Sequence, residues 1–188
     1  MLQQIQTLDF QILDWIRQNL RNPFLDTVMP ALTALGNAGI LWIVIAVVFL
    51  FIKSRRRCGG TMAAGLIADL LIGLVLLKNL IGRARPCWIN PSVPLLISSP
   101  TDYSFPSGHT LASFTAAVIL LRHDRRLGIP ALILAALIAF SRLYLYVHFP
   151  SDVLAGLLLG ILIGVTADVI GRIILSRYPA AGGMAEGD

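Results

Sequence analysis

The chain has 188 residues, of which 56% are hydrophobic and only 13% are charged, and its mean hydropathy is +0.78. Soluble globular domains are nearer half apolar and a quarter charged, so this composition predicts a single domain that resides in a lipid bilayer. The net charge of +5 does not indicate a nucleic-acid partner, because the basic residues stand in small clusters between long apolar runs and are not interleaved with aromatic residues.

The first 22 residues predict an amphipathic interfacial helix. Apolar side chains recur there at helical spacing: Leu2, Ile5, Leu8, Ile12, Trp15 and Ile16. Such a helix lies at the membrane surface or packs on the domain as an ordinary helix, and the pattern leaves both open. The pair Asn22-Pro23 ends it.

Residues 23–175 predict a bundle of transmembrane helices. Residues 27–52 carry no charge, and a turn signal at residues 36–39 divides them, so they form either one long span or two short ones. Later apolar runs cover residues 61–77, 110–121, 127–140 and 153–171. Asp69 lies inside the first of these and is expected to be a structural aspartate that faces other helices. Residues 176–188 predict a flexible cytoplasmic tail.

Clusters of basic residues predict the orientation, since positive residues collect on the cytoplasmic side. The clusters lie at residues 53–57, 122–126 and 172–177. With the N-terminus on the same side, eleven of the fifteen Lys and Arg residues are cytoplasmic. The others fall on the outer face: Lys78, Arg83, Arg85 and Arg142. These four break the rule, which indicates that they have another role.

Three polar segments at the predicted outer face describe a phosphate site. Lys78 and Arg85 are seven residues apart, two helical turns, and are expected to share a face. With Arg142 they offer three cations to phosphate oxygens. Ser107 and Gly108 stand where a helix is predicted to begin, so backbone N–H groups and the helix dipole favour an anion there.

Two histidines complete this group of residues. Asp152 follows His148 by four residues, so its carboxylate is expected to accept the ring N–H and to make His148 the better nucleophile. His109 has no such partner in its own segment and is suited to protonate a leaving oxygen. Arg83 and Ser141 are candidates for supporting positions around the site. Neither a metal nor a cofactor is required, because three fixed cations can neutralise a transferring phosphoryl group.

These residues resemble the type-2 phosphatidic acid phosphatase family, which is similar to the vanadium haloperoxidases. The family pattern is K-x6-R-P, then P-S-G-H, then S-R-x5-H-x3-D, and residues 78–152 match it at every position. The resemblance implies six transmembrane helices with the active site at the outer leaflet, and favours two spans within residues 27–52. It implies a phosphohistidine on His148 and His109 as the acid. It also implies phosphate binding by Lys78, Arg85, Ser107, Gly108 and Arg142.

The sequence therefore predicts an all-α, polytopic protein of the bacterial cell membrane, with a six-transmembrane-helix bundle, that hydrolyses a phosphorylated lipid at the outer face. Phosphatidylglycerol phosphate and phosphatidic acid are the favoured substrates, and undecaprenyl diphosphate is a further candidate. One alternative is a lipid-linked phosphotransferase that uses the same site, which the residues do not distinguish. The other is a non-catalytic anion or lipid transporter. The clustering of the Arg and His residues at one depth argues against a transporter. The oligomeric state is not indicated.

Overall fold

The computed structural model describes residues 2–177, and these form nine α-helices with no β-strand among them. The predicted all-α fold is confirmed. The helices are α1 (Leu2–Leu20), α2 (Pro23–Leu35), α3 (Ile40–Phe51), α4 (Arg56–Asp69), α5 (Lys78–Ile81), α6 (Pro86–Ile89), α7 (Gly108–His123), α8 (Arg125–Tyr144) and α9 (Pro150–Arg177). A 3₁₀ turn, Asn37–Gly39, joins α2 to α3, and a π-helical stretch, Leu70–Leu77, joins α4 to α5. Residues 178–188 of the predicted tail lie outside the described residues.

Helix α7 forms the centre of the bundle, and ten of its sixteen residues are buried. Glycines on α9 let the two helices approach closely: a Cβ at Gly160 would stand 2.7 Å from the carbonyl oxygen of Leu111. The Ser107 N–H, just before α7, donates to the Asp152 carbonyl in the first turn of α9 at 3.1 Å. This packing brings the second and third predicted motifs together at one end of the bundle.

The expected number of six spans is not confirmed. Three stretches of the described residues are long and apolar enough to cross a membrane: Arg56–Ile89, Arg125–Tyr144 and Pro150–Ile174. Helices α2 and α3 supply a fourth if they count as one span. Helix α7 would be about 24 Å long at about 1.5 Å per residue, which is short for a hydrocarbon core of about 30 Å.

Helices α2 and α3 are bent by 41° across residues 36–39. The two helices meet the length and hydropathy criteria for a span only when they are taken together, so the two separate spans expected within residues 27–52 are not confirmed. Ala38 and Gly39 at the break both have left-handed backbone angles, with φ of 50° and 66°.

The three basic clusters lie together at one end of the bundle. Arg55 donates to Asp124 at 3.2 Å, and Arg172 donates to the carbonyl oxygen of Arg122 at 3.3 Å. His123 lies at this end beside Asp168, with its Nε2 3.2 Å from the carboxylate.

Helix α1 lies at the opposite end, so the expectation that the N-terminus shares the basic end is wrong. The Tyr146 hydroxyl donates to Asp14 at 3.3 Å, which fixes α1 against the turn between α8 and α9. Arg17 and Arg21 therefore leave the basic end, and eleven residues there become nine.

Helix α1 packs on the domain with one face and presents apolar side chains on another. Leu13 and Ile16 are buried against the turn after α8 and its surroundings. Leu8 and Trp15 are more than half exposed, at 58% and 57%. Both sequence interpretations thus describe part of this helix, and its placement at a membrane surface remains a prediction.

Candidate active site

A cavity of about 1020 Å³ lies towards the end of the bundle opposite the basic clusters. It brings together six of the predicted site residues: Lys78, Arg85, Gly108, His109, Arg142 and His148. The break between α2 and α3 and the loop at residues 97–102 form further walls. Away from the cations the lining becomes apolar, with Ala46 and Val47 from α3 and Ala63 and Leu66 from α4. The cavity therefore has a cationic end and an apolar extension.

Arg85 reaches this cavity by a route that the sequence analysis did not foresee. The helix that carries Lys78 ends at Ile81, because Gly82 adopts a left-handed conformation with φ of 57°. Arg85 follows in an extended conformation, so the argument that two helical turns place it on the face of Lys78 is wrong. The two cations meet because the chain turns back.

The Arg85 guanidinium is buried and fully engaged. It donates to the carbonyl oxygens of Asp102 and Val147, both at 2.6 Å, and its Nη1 lies 3.0 Å from His148 Nε2. A donor that faces Nε2 favours the neutral tautomer with its proton on Nδ1. Nε2 is thus the unprotonated ring nitrogen, and its electron pair accepts from Arg85 in the absence of substrate.

Asp102 is a site residue that sequence reasoning missed. Its carboxylate pairs with Lys78 and accepts from Arg85 Nη2 at 2.7 Å, so it bridges the two cations predicted for phosphate. Burial raises the pKa of Asp102, but the hydrogen bond from Lys78 and the charge of Arg85 outweigh burial and hold this pKa at about 2. The signal was present, because Asp102 is the one charged residue between Arg85 and His109.

His148 is 1% exposed and does not hydrogen-bond Asp152 directly. Its Nδ1 lies 3.8 Å from Asp152 Oδ2, against the expected contact of the two groups. The reason is that this oxygen already accepts from the Phe149 N–H at 2.9 Å and from the Ser104 hydroxyl at 2.5 Å. Ser104 Oγ lies 3.4 Å from the same ring nitrogen. Ser104, to which the sequence analysis gave no role, therefore stands between His148 and Asp152.

The pKa of His148 lies well below the ordinary imidazole range. Burial is the main cause, and the cations of Arg85, Arg142 and Lys78 act in the same direction. The ring is therefore neutral at neutral pH, which is the form that a nucleophile requires.

Arg83 lies behind Asp152 and not on the cavity wall. Its Nη1 donates to Asp152 Oδ1 at 2.5 Å and its Nη2 to Asp9 at 2.7 Å, while its guanidinium stacks 4.1 Å above the Phe149 ring. Asp9 comes from α1 and also accepts from the Ser151 hydroxyl. The contact between Arg83 and Asp9 joins residues 74 positions apart, so no local sequence pattern predicts it.

His109 and Arg142 face the cavity beside the break between α2 and α3. His109 Nε2 lies 2.9 Å from Asn37 Oδ1 and 3.5 Å from Arg142 Nη1. Arg142 Nη1 also donates to the Thr33 hydroxyl at 2.6 Å. The Nε of Arg142 has no partner among the described residues. A buried guanidinium with free donors fits an anion that enters the cavity.

The hydroxyls of two predicted site residues point elsewhere. Ser107 occupies the N-cap position of α7, but its hydroxyl lies 2.9 Å from Thr110 Oγ1 and caps nothing. Ser141 donates to the carbonyl oxygen of Ile138 in its own helix at 2.6 Å. Neither lines the cavity, whereas Gly108 does.

Asp69 lies at the apolar part of the cavity and is 3% exposed. Its Oδ1 accepts from the Thr115 hydroxyl of α7 at 2.9 Å, in line with an aspartate that faces other helices. Its second oxygen has no partner among the described residues.

Comparison with known proteins places these residues in a common framework. The family model of the PAP2 superfamily matches residues 58–170. An undecaprenyl-diphosphatase of Sulfolobus acidocaldarius is 39% identical over 122 residues, 64% of this chain and 58% of that protein. The match thus spans less than two thirds of that archaeal relative. A decaprenylphosphoryl-5-phosphoribose phosphatase of Mycobacterium tuberculosis is 36% identical over 141 residues, 74% of this chain and 77% of the relative.

A solved structure has a similar fold. The crystal structure of a transmembrane PAP2-type phosphatidylglycerolphosphate phosphatase from Bacillus subtilis superposes with a TM-score of 0.74 at 29% identity. The match covers 90% of this chain and 87% of the Bacillus protein. The similarity therefore includes the bundle as well as the motif segments.

Proposed function

We propose that this membrane lipid phosphatase, which belongs to the PAP2 superfamily, removes the terminal phosphate of a membrane lipid through a phosphohistidine on His148. The observation that carries the proposal is the cavity, whose cationic end with two histidines continues into an apolar space beside α3 and α4. A phosphate on a hydrocarbon chain has the same two-part chemistry.

The substrate phosphate binds at the cationic end. Lys78, Arg85 and Arg142 supply charge, and the first N–H groups of α7 at Gly108 supply the positive end of a helix dipole. Since Asp102 bridges two of these cations, the phosphate takes its place on them. Cations fixed in place before the reaction stabilise the charge of the phosphoryl group in the transition state.

The reaction proceeds in two displacements. His148 Nε2 attacks phosphorus, a P–N bond forms, and the bond from phosphorus to the lipid oxygen breaks. Burial and the charges of Arg142 and Lys78 lower the pKa of His109 to about 3 in the protein without substrate. The negative charge of the bound phosphate raises this pKa again, so His109 enters this step as the imidazolium, gives its proton to the departing oxygen and becomes neutral. Water then attacks the phosphohistidine, His109 takes the water proton, and the P–N bond breaks to release phosphate. Asp152 balances the positive charge that the phosphorylated imidazole carries.

The distribution of charge supports an outward-facing site. Nine Lys and Arg residues belong to the end opposite the cavity, and positive residues collect on the cytoplasmic side. The cavity then opens at the outer face of the cell membrane. Helix α1 lies at the same end and turns Leu8, Ile12 and Trp15 outward, as expected of a helix at the membrane surface.

The substrate is a lipid with a terminal phosphate or diphosphate. Phosphatidylglycerol phosphate and phosphatidic acid are supported by the resemblance in sequence, and phosphatidylglycerol phosphate also by the Bacillus structure. The archaeal relative raises undecaprenyl diphosphate to an equal candidate. All share the terminal phosphate that the cationic end binds.

Phosphate release from a panel of these lipids tests the proposal. We expect the detergent-purified protein to release phosphate from at least one of phosphatidylglycerol phosphate, phosphatidic acid and undecaprenyl diphosphate, in the presence of EDTA. Each reaction includes a lipid or sugar alcohol as acceptor, so that a phosphotransferase would appear as a new phosphorylated product. The proposal would be contradicted if folded protein released no phosphate from any of these lipids, or if release strictly required added magnesium.

The pH profile of this release has an expected acid limb. Protonation of His148 blocks attack, and its pKa lies below the usual value of about 6.5, so half of kcat/KM is lost only below about pH 6.5. Asp102 does not contribute to this limb, since its pKa is about 2. The measurement is kcat/KM at constant ionic strength, with His123→Ala as a control because that ring lies at the basic end. A limb centred above the ordinary imidazole value would contradict the assignment.

A further inference from the structure

The break between α2 and α3 has no part in the chemistry described so far, although it lines the cavity. Ala38 at this break has φ of 50°, which is uncommon for a residue other than glycine. Such conformations persist where the surroundings determine them, and they are concentrated at functional sites. The contacts of the break show what this conformation positions.

Two neighbouring residues of the break hold the His109 ring. Asn37 Oδ1 lies 2.9 Å from His109 Nε2. At the adjacent ring atom, a Cβ at Gly36 would stand 2.8 Å from His109 Cδ2 and 2.9 Å from Ile138 Cγ2, so the ring occupies space that only glycine leaves. The imidazole is thus supported by packing against Gly36 and by a hydrogen bond to Asn37.

The bond to Asn37 also fixes the position of a proton. An amide oxygen only accepts hydrogen bonds, so Asn37 favours a His109 ring with a proton on Nε2, and it keeps this contact when the ring is the imidazolium, the form that can act as an acid. Nε2 is the nitrogen that approaches Arg142 in the cavity, and Arg142 is itself held by Thr33 from the last turn of α2. One short segment of the first span therefore orients both the acid and a phosphate-binding cation.

We propose that Asn37 is a positioning residue that orients the His109 ring and stabilises its imidazolium form, whose Nε2 proton passes to the departing lipid oxygen and leaves a neutral ring. The inference rests on the proposed function and adds to it a residue from the broken span. It assigns to the turn signal at residues 36–39 a role in proton transfer as well as in bending the helix.

This role makes a distinctive kinetic prediction, because leaving groups differ in their need for a proton. A lipid alcohol is a poor leaving group unless it is protonated, whereas a nitrophenolate departs without help. Asn37→Ala is therefore expected to lower kcat/KM for a lipid phosphate by about 10²-fold, at the low end of general acid catalysis. For an alkyl-substituted nitrophenyl phosphate, which keeps an apolar tail, the change is expected to stay within about threefold.

The experiment compares wild type, Asn37→Ala, Asn37→Asp and the control Asn19→Ala on both substrates. Asn19 lies on α1, where it bonds to the Trp15 carbonyl oxygen. Asn37→Asp keeps an acceptor of the same size, so we expect it to recover lipid hydrolysis to within about tenfold of wild type. Thermal unfolding in detergent confirms that each variant is folded, and Asn37→Asp retains the test if Asn37→Ala does not fold.

The outcomes separate this inference from the proposed function. An equal loss of kcat/KM on both substrates, or no loss on either, would overturn the role of Asn37 while hydrolysis by wild type still supported the phosphatase. Failure of Asn37→Asp to recover lipid hydrolysis would also overturn it. A folded wild type that hydrolyses neither substrate would overturn the proposed function and this inference together.

Discussion

His148→Ala is expected to abolish phosphate release, with kcat lowered by on the order of 10⁴-fold or more, as for other enzymes that lose a nucleophile. The physical reason is that the neutral His148 ring, with Ser104 and Asp152 behind it, is the group proposed to attack phosphorus. His148 Nε2 lies 3.0 Å from Arg85, which would hold the phosphate against it. The measurement is phosphate release from the preferred lipid.

His123→Ala is the matched control for this variant. That ring lies beside Asp168 at the basic end of the bundle, so the same substitution leaves the cavity intact. His148→Ala removes a buried ring, and its thermal unfolding in detergent shows whether the fold survives. A folded His148→Ala protein with a rate near that of wild type would remove His148 as the nucleophile.

Asp152→Asn is expected to lower kcat/KM by about 10³-fold while the protein remains folded. This is less than the loss of about 10⁴-fold in a hydrolytic triad, because Asp152 Oδ2 lies 3.8 Å from His148 Nδ1 and does not bond to it directly. The carboxylate is completely buried and accepts from Arg83, Ser104 and Phe149. An amide preserves the shape but not the charge that balances a phosphorylated His148. The measurement is steady-state lipid hydrolysis, with Asp14→Asn on α1 as the control.

Ser104 gives this prediction a second test. Its hydroxyl bonds to Asp152 Oδ2 and lies 3.4 Å from the His148 ring, so the carboxylate acts on the ring partly through Ser104. Ser104→Ala is expected to lose about tenfold in kcat/KM, and to lose little more when combined with Asp152→Asn, because residues that act as a unit are not additive. Additive losses would show that the two residues act independently.

The sequence predicted the parts of the fold that depend on local patterns. Apolar runs between charged clusters predicted α4, α8 and α9. The glycines Gly36 and Gly39 predicted a break between helices. The angle of the break depends on packing against α7, which no local pattern contains.

The candidate site also divides into residues that local patterns predict and residues whose roles depend on distant contacts. The residues of the three motifs could be identified because their types and spacing are specific, and six of them line one cavity. Four further residues were not identified from the sequence, because their partners are distant along the chain: Asp102, Ser104, Asp9 and Asn37. The direct bond between His148 and Asp152 was expected from spacing alone, and the start of α9 prevented it by engaging the carboxylate with the Phe149 N–H.

Trapping the covalent intermediate tests the central claim most directly. Protein mixed with lipid that carries a labelled terminal phosphate is quenched with alkali within the first turnover, and the labelled peptide is sequenced. We predict an acid-labile, alkali-stable phosphate on His148 that is absent from His148→Ala and accumulates when the base His109 is replaced by Ala with an activated substrate. Label on His109, or rapid turnover with no protein-bound phosphate at any time, would contradict the account.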